Sequence, residues 1–433
     1  MNEKDIQTIL NILDEEVVPA EGCTEPIALA YVGAYAKKIL DDEVEKVTIR
    51  VSGNMIKNVK SVVVPNSGGM TGIETSVAMG IIAGDIKKDL MVISDITKDD
   101  MLKVKKFLKT KKIEIIHEDT EVKLYAKIIL KSKSDKYSCV EIKHMHTNVT
   151  KIEKNHKIIL ERPCSDMDFN SPANDRKILN INTIYELAKV INLKKIEPLF
   201  KKVITLNSKI AYEGLMGNYG VNIGKIISDN IEKGFYGDDS RNRAASFASA
   251  GSDARMSGCS LPVMTTSGSG NQGMTSSLAL IEYARINKIE NEKLIRSLFF
   301  SHLATIHIKT NVGRLSAYCG VICSAAAVAG ALAFLNDESY KVVSHSITNT
   351  LGDVSGIICD GAKSSCAMKI STTIYAAFDS YLLAHEGKYL HGGDGIIAED
   401  IEKTLENIGK LSQDGMNITD KVIIRIMNNS SVS

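Results

Sequence analysis

Cys319, Cys359 and Cys366 are the residues of this chain whose type and spacing come nearest to metal chemistry. The last two close the run Ile-Ile-Cys-Asp-Gly-Ala-Lys-Ser-Ser-Cys, from Ile357 to Cys366. Three thiolates can hold three irons of an iron–sulfur cluster and leave one iron without a protein ligand. Such an iron is a Lewis acid, which points to chemistry rather than electron transfer. Two other readings of the same cysteines stay open. One is a structural zinc site with Cys323 as fourth ligand, although C-x3-C and C-x6-C are not the paired spacing usual in zinc ribbons. The other is inert core cysteines, since free Cys is among the most buried residue types.

Further candidates are spread along the chain. Cys23, in Glu-Gly-Cys-Thr-Glu-Pro, precedes Thr24, the expected N-cap of a helix. The helix dipole there favours a thiolate that could act as base or nucleophile, while Glu21 and Glu25 oppose it; a structural cysteine is the plainer reading. The run Ser267-Gly-Ser-Gly-Asn-Gln-Gly273 matches G-x-G-x-x-G. A dinucleotide site would need a strand before it and a βαβ unit around it, but Pro262 opens the short preceding run and helices follow. The run reads instead as a backbone nest for a substrate carboxylate, through Ser267, Gly268, Gly270 and Asn271, or as a turn before a helix. The loops Ser52–Asn58 and Asn66–Met70 are ligand-contact candidates or ordinary turns. His144 and His146, on a strand, would share one face and could chelate a metal, but exposed strand histidines are the commoner case.

The elements that must position these residues divide the chain. Residues 1–43 read as two helices packing on a helical domain, and 44–160 as a small α/β domain with a mixed sheet. Strands are expected at Val47–Val51, Met91–Ser94, Ile113–Ile116, Val122–Leu130 and Tyr137–Lys143. Lys151–Asn180 reads as a connector, 175–415 as an all-α catalytic domain, and 416–433 as a strand, centred on Lys421–Ile426, that returns to the sheet. The fold class is therefore α+β, with the site between the domains.

Composition narrows the function. The chain has 433 residues, 44% hydrophobic and 24% charged, with net charge +1, no Trp and few aromatics. That offers no electrostatic footprint for nucleic acid or membrane and no base-stacking platform. The polar, acidic start (Met1–Glu16) is not expected to be a signal peptide, and the apolar run Val321–Leu335 is short for a membrane span. A cytoplasmic location is expected, with the eight cysteines reduced.

Five motifs in order resemble the L-cysteine desulfidase family, a relative of the alpha domain of iron–sulfur L-serine dehydratases. They are Glu21-Gly-Cys-Thr-Glu-Pro-Ile-Ala, Ser52-Gly-Asn-Met-Ile-Lys-Asn, Gly268-Ser-Gly-Asn-Gln-Gly, Ser316-Ala-Tyr-Cys-Gly and Ile358-Cys-Asp-Gly-Ala-Lys-Ser-Ser-Cys-Ala-Met-Lys. The resemblance implies a [4Fe–4S] cluster on Cys319, Cys359 and Cys366, with Cys23 as proton acceptor. The implied reaction is α,β-elimination of L-cysteine to pyruvate, ammonia and sulfide. The short Cys359–Cys366 loop departs from the longer gap of the serine dehydratases, which leaves L-serine dehydratase as the alternative. Candidates to hold the substrate, besides the Gly-rich nest, are Lys309, Arg314 and Lys363. An amino-acid-binding protein or a zinc-stabilised protein would be the non-enzyme reading. The expected partner is a small amino acid, with self-association into a homo-oligomer left open.

Overall fold

The computed structural model describes residues 1–165 and 174–429. It is an α+β molecule: a small mixed sheet with its helices, and a larger helical region. The sheet has six strands in the order Lys112–His117, Val44–Val51, Tyr125–Ser132, Tyr137–Lys143, Val149–Lys154 and Lys157–Glu161. Only the first pair is parallel. A parallel pair needs a long crossover, and the helices Gly53–Val59, Ile73–Ala83 and Lys98–Thr110 provide it. Val47, Ile49 and Val51 alternate inward and are fully buried, as a one-sided sheet requires.

The helix Thr24–Leu40 covers that sheet rather than the helical region: Ile27, Leu29, Val32 and Ala36 share a core with Val47, Ile128 and Val140. Only the first helix, Glu3–Glu16, packs as read from the sequence, sending Ile9, Ile12 and Leu13 into the helical core. Thr24–Leu40 crosses Ile73–Ala83 backbone to backbone. A Cβ on Gly80 would lie 1.9 Å from the Ala30 carbonyl oxygen, and one on Gly33 would lie 2.9 Å from that of Val77. Gly80→Ala must push these helices apart. It is expected to cost about 1–3 kcal/mol of stability in urea unfolding.

Three other segments differ from the sequence reading. Met91–Ser94 is no strand; a short 3₁₀ helix, Ile86–Met91, runs into turns, and Asn66 Nδ2 reaches the Ile93 carbonyl. The segment read as a connector contributes the last two strands, and its residues 166–173 lie outside the described residues. The C-terminal run is a helix, Met416–Asn429. Its β-branched Ile424 packs against Gly53, and its Asp420 is buried, so tertiary contacts override strand propensity. Residues 430–433 lie outside the described residues.

In the helical region, Gly320–Leu335 is buried along its whole length from Val321. It is surrounded by Gly270–Ile286, Asn291–Val312, Tyr340–Val354 and Ser365–His385. Its Ala- and Gly-rich sequence lets the neighbours approach: a Cβ on Gly330 would meet Ile347 at 2.8 Å. No helix among the described residues is long and apolar enough to cross a membrane.

Candidate active site

Cys23, Cys319, Cys359 and Cys366 line one cavity of about 100 Å³ where the sheet's helices meet the helical region. Each is delivered by a separate device. A two-stranded ribbon pairs Pro19–Glu21 with Pro262–Met264 and fixes the chain just before Cys23, which caps the helix Thr24–Leu40. Cys319 caps Gly320–Leu335. A short antiparallel bridge between Tyr318 and Ile358 straps Cys319 to Cys359, with Cys359 N–H bonded to the Ala317 carbonyl at 2.6 Å. Cys366 stands in the first turn of Ser365–His385, its N–H bonded to the Lys363 carbonyl at 2.9 Å. Cys23 and Cys366 share a small cluster with Val62 and Met256. The helix Gly270–Ile286 adds its own N-terminus through Ser269, Asn271 and Gln272. Four helix starts thus face the cavity, and their exposed N–H groups favour negative charge there.

The cavity is nonetheless hostile to bare thiolates. Burial pushes the Cys23 thiol up to about 12, against the pull of Arg255. Burial and the neighbouring Cys359 and Cys366 push Cys319 far above the ordinary thiol range, and Cys366 is raised by burial too. The helix dipole does not make Cys23 acidic, contrary to the sequence argument, because desolvation outweighs it. Buried sulfurs that raise one another are a donor set suited to a cationic centre, which would take up their charge as they lose protons. Among the described residues no three His, Cys, Asp or Glu side chains converge on the position of a single ion. A cluster spreads its irons over separate corners, so its ligands stand apart. Cys323 is fully buried in the helical core and does not line the cavity, which removes the fourth ligand of the zinc reading. As three soft donors at one cavity, Cys319, Cys359 and Cys366 suit an iron–sulfur cluster in their chemistry.

The remaining sequence candidates divide. Asn271, Lys309 and Arg314 line the cavity. Arg314 already grips the buried Glu16, at 2.6 Å from Nη2 to Oε1, and Arg176 Nη2 donates to the same oxygen. Burial would raise Glu16, but the two guanidinium groups outweigh it and keep the carboxyl below its usual range. Lys363 is outside the lining and pairs with Asp360 at 2.5 Å. Ser267 and Gly268 turn with positive φ behind the cavity wall, where the Gly268 carbonyl accepts from Thr24 Oγ1 at 2.8 Å. Gly270 opens the helix, and the Ser269 side chain accepts from Gln272 N–H. His144 and His146 lie in a buried turn beyond the strand, not on it. His146 Nε2 stands 4.0 Å from Glu25 Oε1. Burial works to raise the Glu25 carboxyl, but His146 and Arg255 outweigh it and keep the group ionised.

Sequence reasoning missed Arg255 and Lys369, and it held Asn58 and Gln272 only as members of candidate runs; all four are in the lining. It also missed the buried pair Lys57–Asp420, 2.6 Å, which braces the cavity wall: Lys57 Nζ donates to the Cys359 carbonyl at 3.2 Å. The motif Ser52–Asn58 folds as the cap and most of the seven-residue helix Gly53–Val59, which carries Lys57 and Asn58. Lone charges inside the small-residue run Ala244–Met256 were the available signal for Arg255.

Glu21 lies just behind Cys23, 2% exposed. Asn66 Nδ2 donates to its Oε1 at 2.7 Å, while Oε2 has no partner. Burial raises this carboxyl from 4.5 to about 7. The unfolded chain therefore releases the proton earlier than the folded one, and stability falls as pH rises from 4.5 to about 7, then levels. Glu21→Gln is expected to remove that fall and to be the more stable protein at about pH 8, by roughly 1–3 kcal/mol. Urea midpoints at about pH 5 and pH 8 check it.

Comparison with known proteins agrees with a dehydratase-like scaffold. Residues 87–425 match the family described as serine dehydratase alpha chain. A "UPF0597 protein" of Fusobacterium nucleatum is 58% identical over 425 residues, covering 98% of this chain and 99% of its own length. Proteins of the same name from Desulfitobacterium hafniense and Treponema denticola are 46% and 43% identical; the alignments cover 99% and 96% of this chain and 98% and 97% of theirs. The chain belongs to the serine dehydratase alpha chain family, alongside these UPF0597 relatives.

Proposed function

We propose that the protein is a lyase that eliminates sulfide from L-cysteine, giving pyruvate and ammonia. The observation that carries this reading is the meeting of Cys23 with Cys319, Cys359 and Cys366 around one small cavity. Cys319, Cys359 and Cys366 would hold a [4Fe–4S] cluster in a reducing, cytoplasmic setting. When bound, the cluster supplies a Lewis-acidic iron that stabilises charge building up on the departing sulfur. Cys23 then accepts the proton from the substrate Cα. For this it must enter as a thiolate, and Arg255 is the charge that lowers its cost. The electrons of the Cα–H bond form the Cα–Cβ double bond as the Cβ–S bond breaks, and sulfide leaves. The aminoacrylate tautomerises to an imine and hydrolyses without further help. The buried wall of Tyr318, Leu315 and Val321 limits water around the reacting atoms.

The family description favours a second reading, in which L-serine loses water on the same scaffold. An anaerobic assay of pyruvate, ammonia and sulfide from a small amino-acid panel decides between them. Equal pyruvate and sulfide from L-cysteine, with little pyruvate from L-serine, is the expected result. Faster pyruvate release from L-serine would transfer the assignment to the dehydratase. Turnover of neither, by protein with a full iron complement, would end the lyase reading.

A further inference from the structure

Arg255 is a buried cation that no carboxylate among the described residues meets in a salt bridge; Glu25, in the same lining, acts on it only through longer-range attraction. It ends the helix Ser240–Met256, is 3% exposed, and lines the cavity beside Cys23 and Cys366. Its one hydrogen bond among the described residues runs from Nη1 to Asn271 Oδ1 at 3.1 Å; Nε has no partner, and no carboxylate pairs with it. Burying a guanidinium in this state is costly, and an anion in the cavity would repay it.

The surroundings are built around this side chain. A Cβ on Gly270 would lie 2.3 Å from Arg255 Nε, so only glycine leaves room for the guanidinium there. Ser252 Oγ donates to the same Asn271 oxygen at 3.1 Å, which fixes that amide with its acceptor towards Arg255. The other cations of the lining are less suited to the task. Arg314 is held by Glu16, and Lys369 by Asp360 at 2.6 Å. Burial lowers Lys309 towards its neutral form.

We propose that Arg255 anchors the α-carboxylate of the substrate, so that the cavity selects α-amino acids over simple thiols. A planar guanidinium fork matches a carboxylate in two parallel hydrogen bonds. A carboxylate held there leaves Cα on the side of the cavity that Cys23 occupies. The proposal rests on the reading of this cavity as an elimination site.

The test uses cluster-loaded protein prepared without oxygen and two unreactive thiols of nearly the same shape, 3-mercaptopropionate and 3-mercaptopropanamide. Equilibrium binding should favour the acid by roughly a hundredfold, the scale of a charge-assisted hydrogen-bond pair. Arg255→Met should abolish that preference with unchanged iron content, and Arg255→Lys should keep part of it. Arg255→Gln, which can still bond Asn271, serves if the Met variant does not fold. A preference that survives in the Met or Gln variant, or that disappears instead in Lys309→Met, overturns the proposal. Loss of iron from the Arg255 variants overturns it as well, since the guanidinium would then serve the cluster. Binding is read without turnover, so the two readings fail separately. A carboxylate preference lost with Arg255, in a protein that eliminates nothing, leaves the anchor standing and removes the lyase. Elimination of L-cysteine by Arg255→Met with unchanged KM does the reverse.

Discussion

Cys23→Ala is expected to retain its iron and to lose elimination activity by about 10²–10⁴-fold, the range usual for removing a general base. Cys359→Ser is expected to lose both. The contrast follows from where the two side chains stand. Cys23 enters the cavity from the start of the helix Thr24–Leu40, on a separate element from the strapped pair Cys319 and Cys359. Removing its sulfur leaves that bridge and the first turn of Ser365–His385 untouched. Iron content and visible absorbance report the first property, and anaerobic sulfide release the second. A Cys359→Ser protein with full iron would remove that cysteine from the ligand set. A Cys23→Ala protein with full activity would remove the base.

Lys57→Met is expected to be among the most damaging single changes outside the cysteines, costing about 3–5 kcal/mol. Lys57 and Asp420 are 1% and 3% exposed and 2.6 Å apart. Without the ammonium, the Asp420 carboxylate keeps, among the described residues, only Asn54 Nδ2, at 3.0 Å. The double variant Lys57→Met/Asp420→Leu removes both charges and should recover much of the stability, because matched apolar replacements of buried ion pairs are often neutral. It should not recover activity, since the Cys359 carbonyl still lacks the Lys57 donor. Urea midpoints set beside the turnover rate separate the two effects. Recovery of both would show that Lys57 serves stability alone.

The thiols were readable from the sequence because their residue type is rare and their motifs are local. The strand Tyr137–Lys143 was readable because its β-branched and aromatic residues are bounded by turn-forming ones on one side. What escaped depends on partners distant in sequence. Lys421–Ile426 looks like a strand on local propensity, but the contacts of its helix, Ile424 against Gly53 and Asp420 against Lys57, are with residues distant in sequence. Arg255 sits in a run of Ala, Ser and Gly that signals close helix packing, with no local hint that its charge ends beside Cys23. Thr24–Leu40 packs on the sheet through Ile27, Leu29, Val32 and Ala36 and crosses Ile73–Ala83 at Gly33 and Gly80, neither of which periodicity reveals.

The ribbon that fixes Cys23 joins Pro19–Glu21 to Pro262–Met264, and the brace on Cys359 comes from Asp420. During synthesis, Cys23 therefore leaves the ribosome long before either support exists. If Cys319, Cys359 and Cys366 hold iron as proposed, they reach their places only when translation is nearly finished, and iron delivery would wait until then. A product shortened before Asp420 would keep every cysteine and still be a poor acceptor for iron.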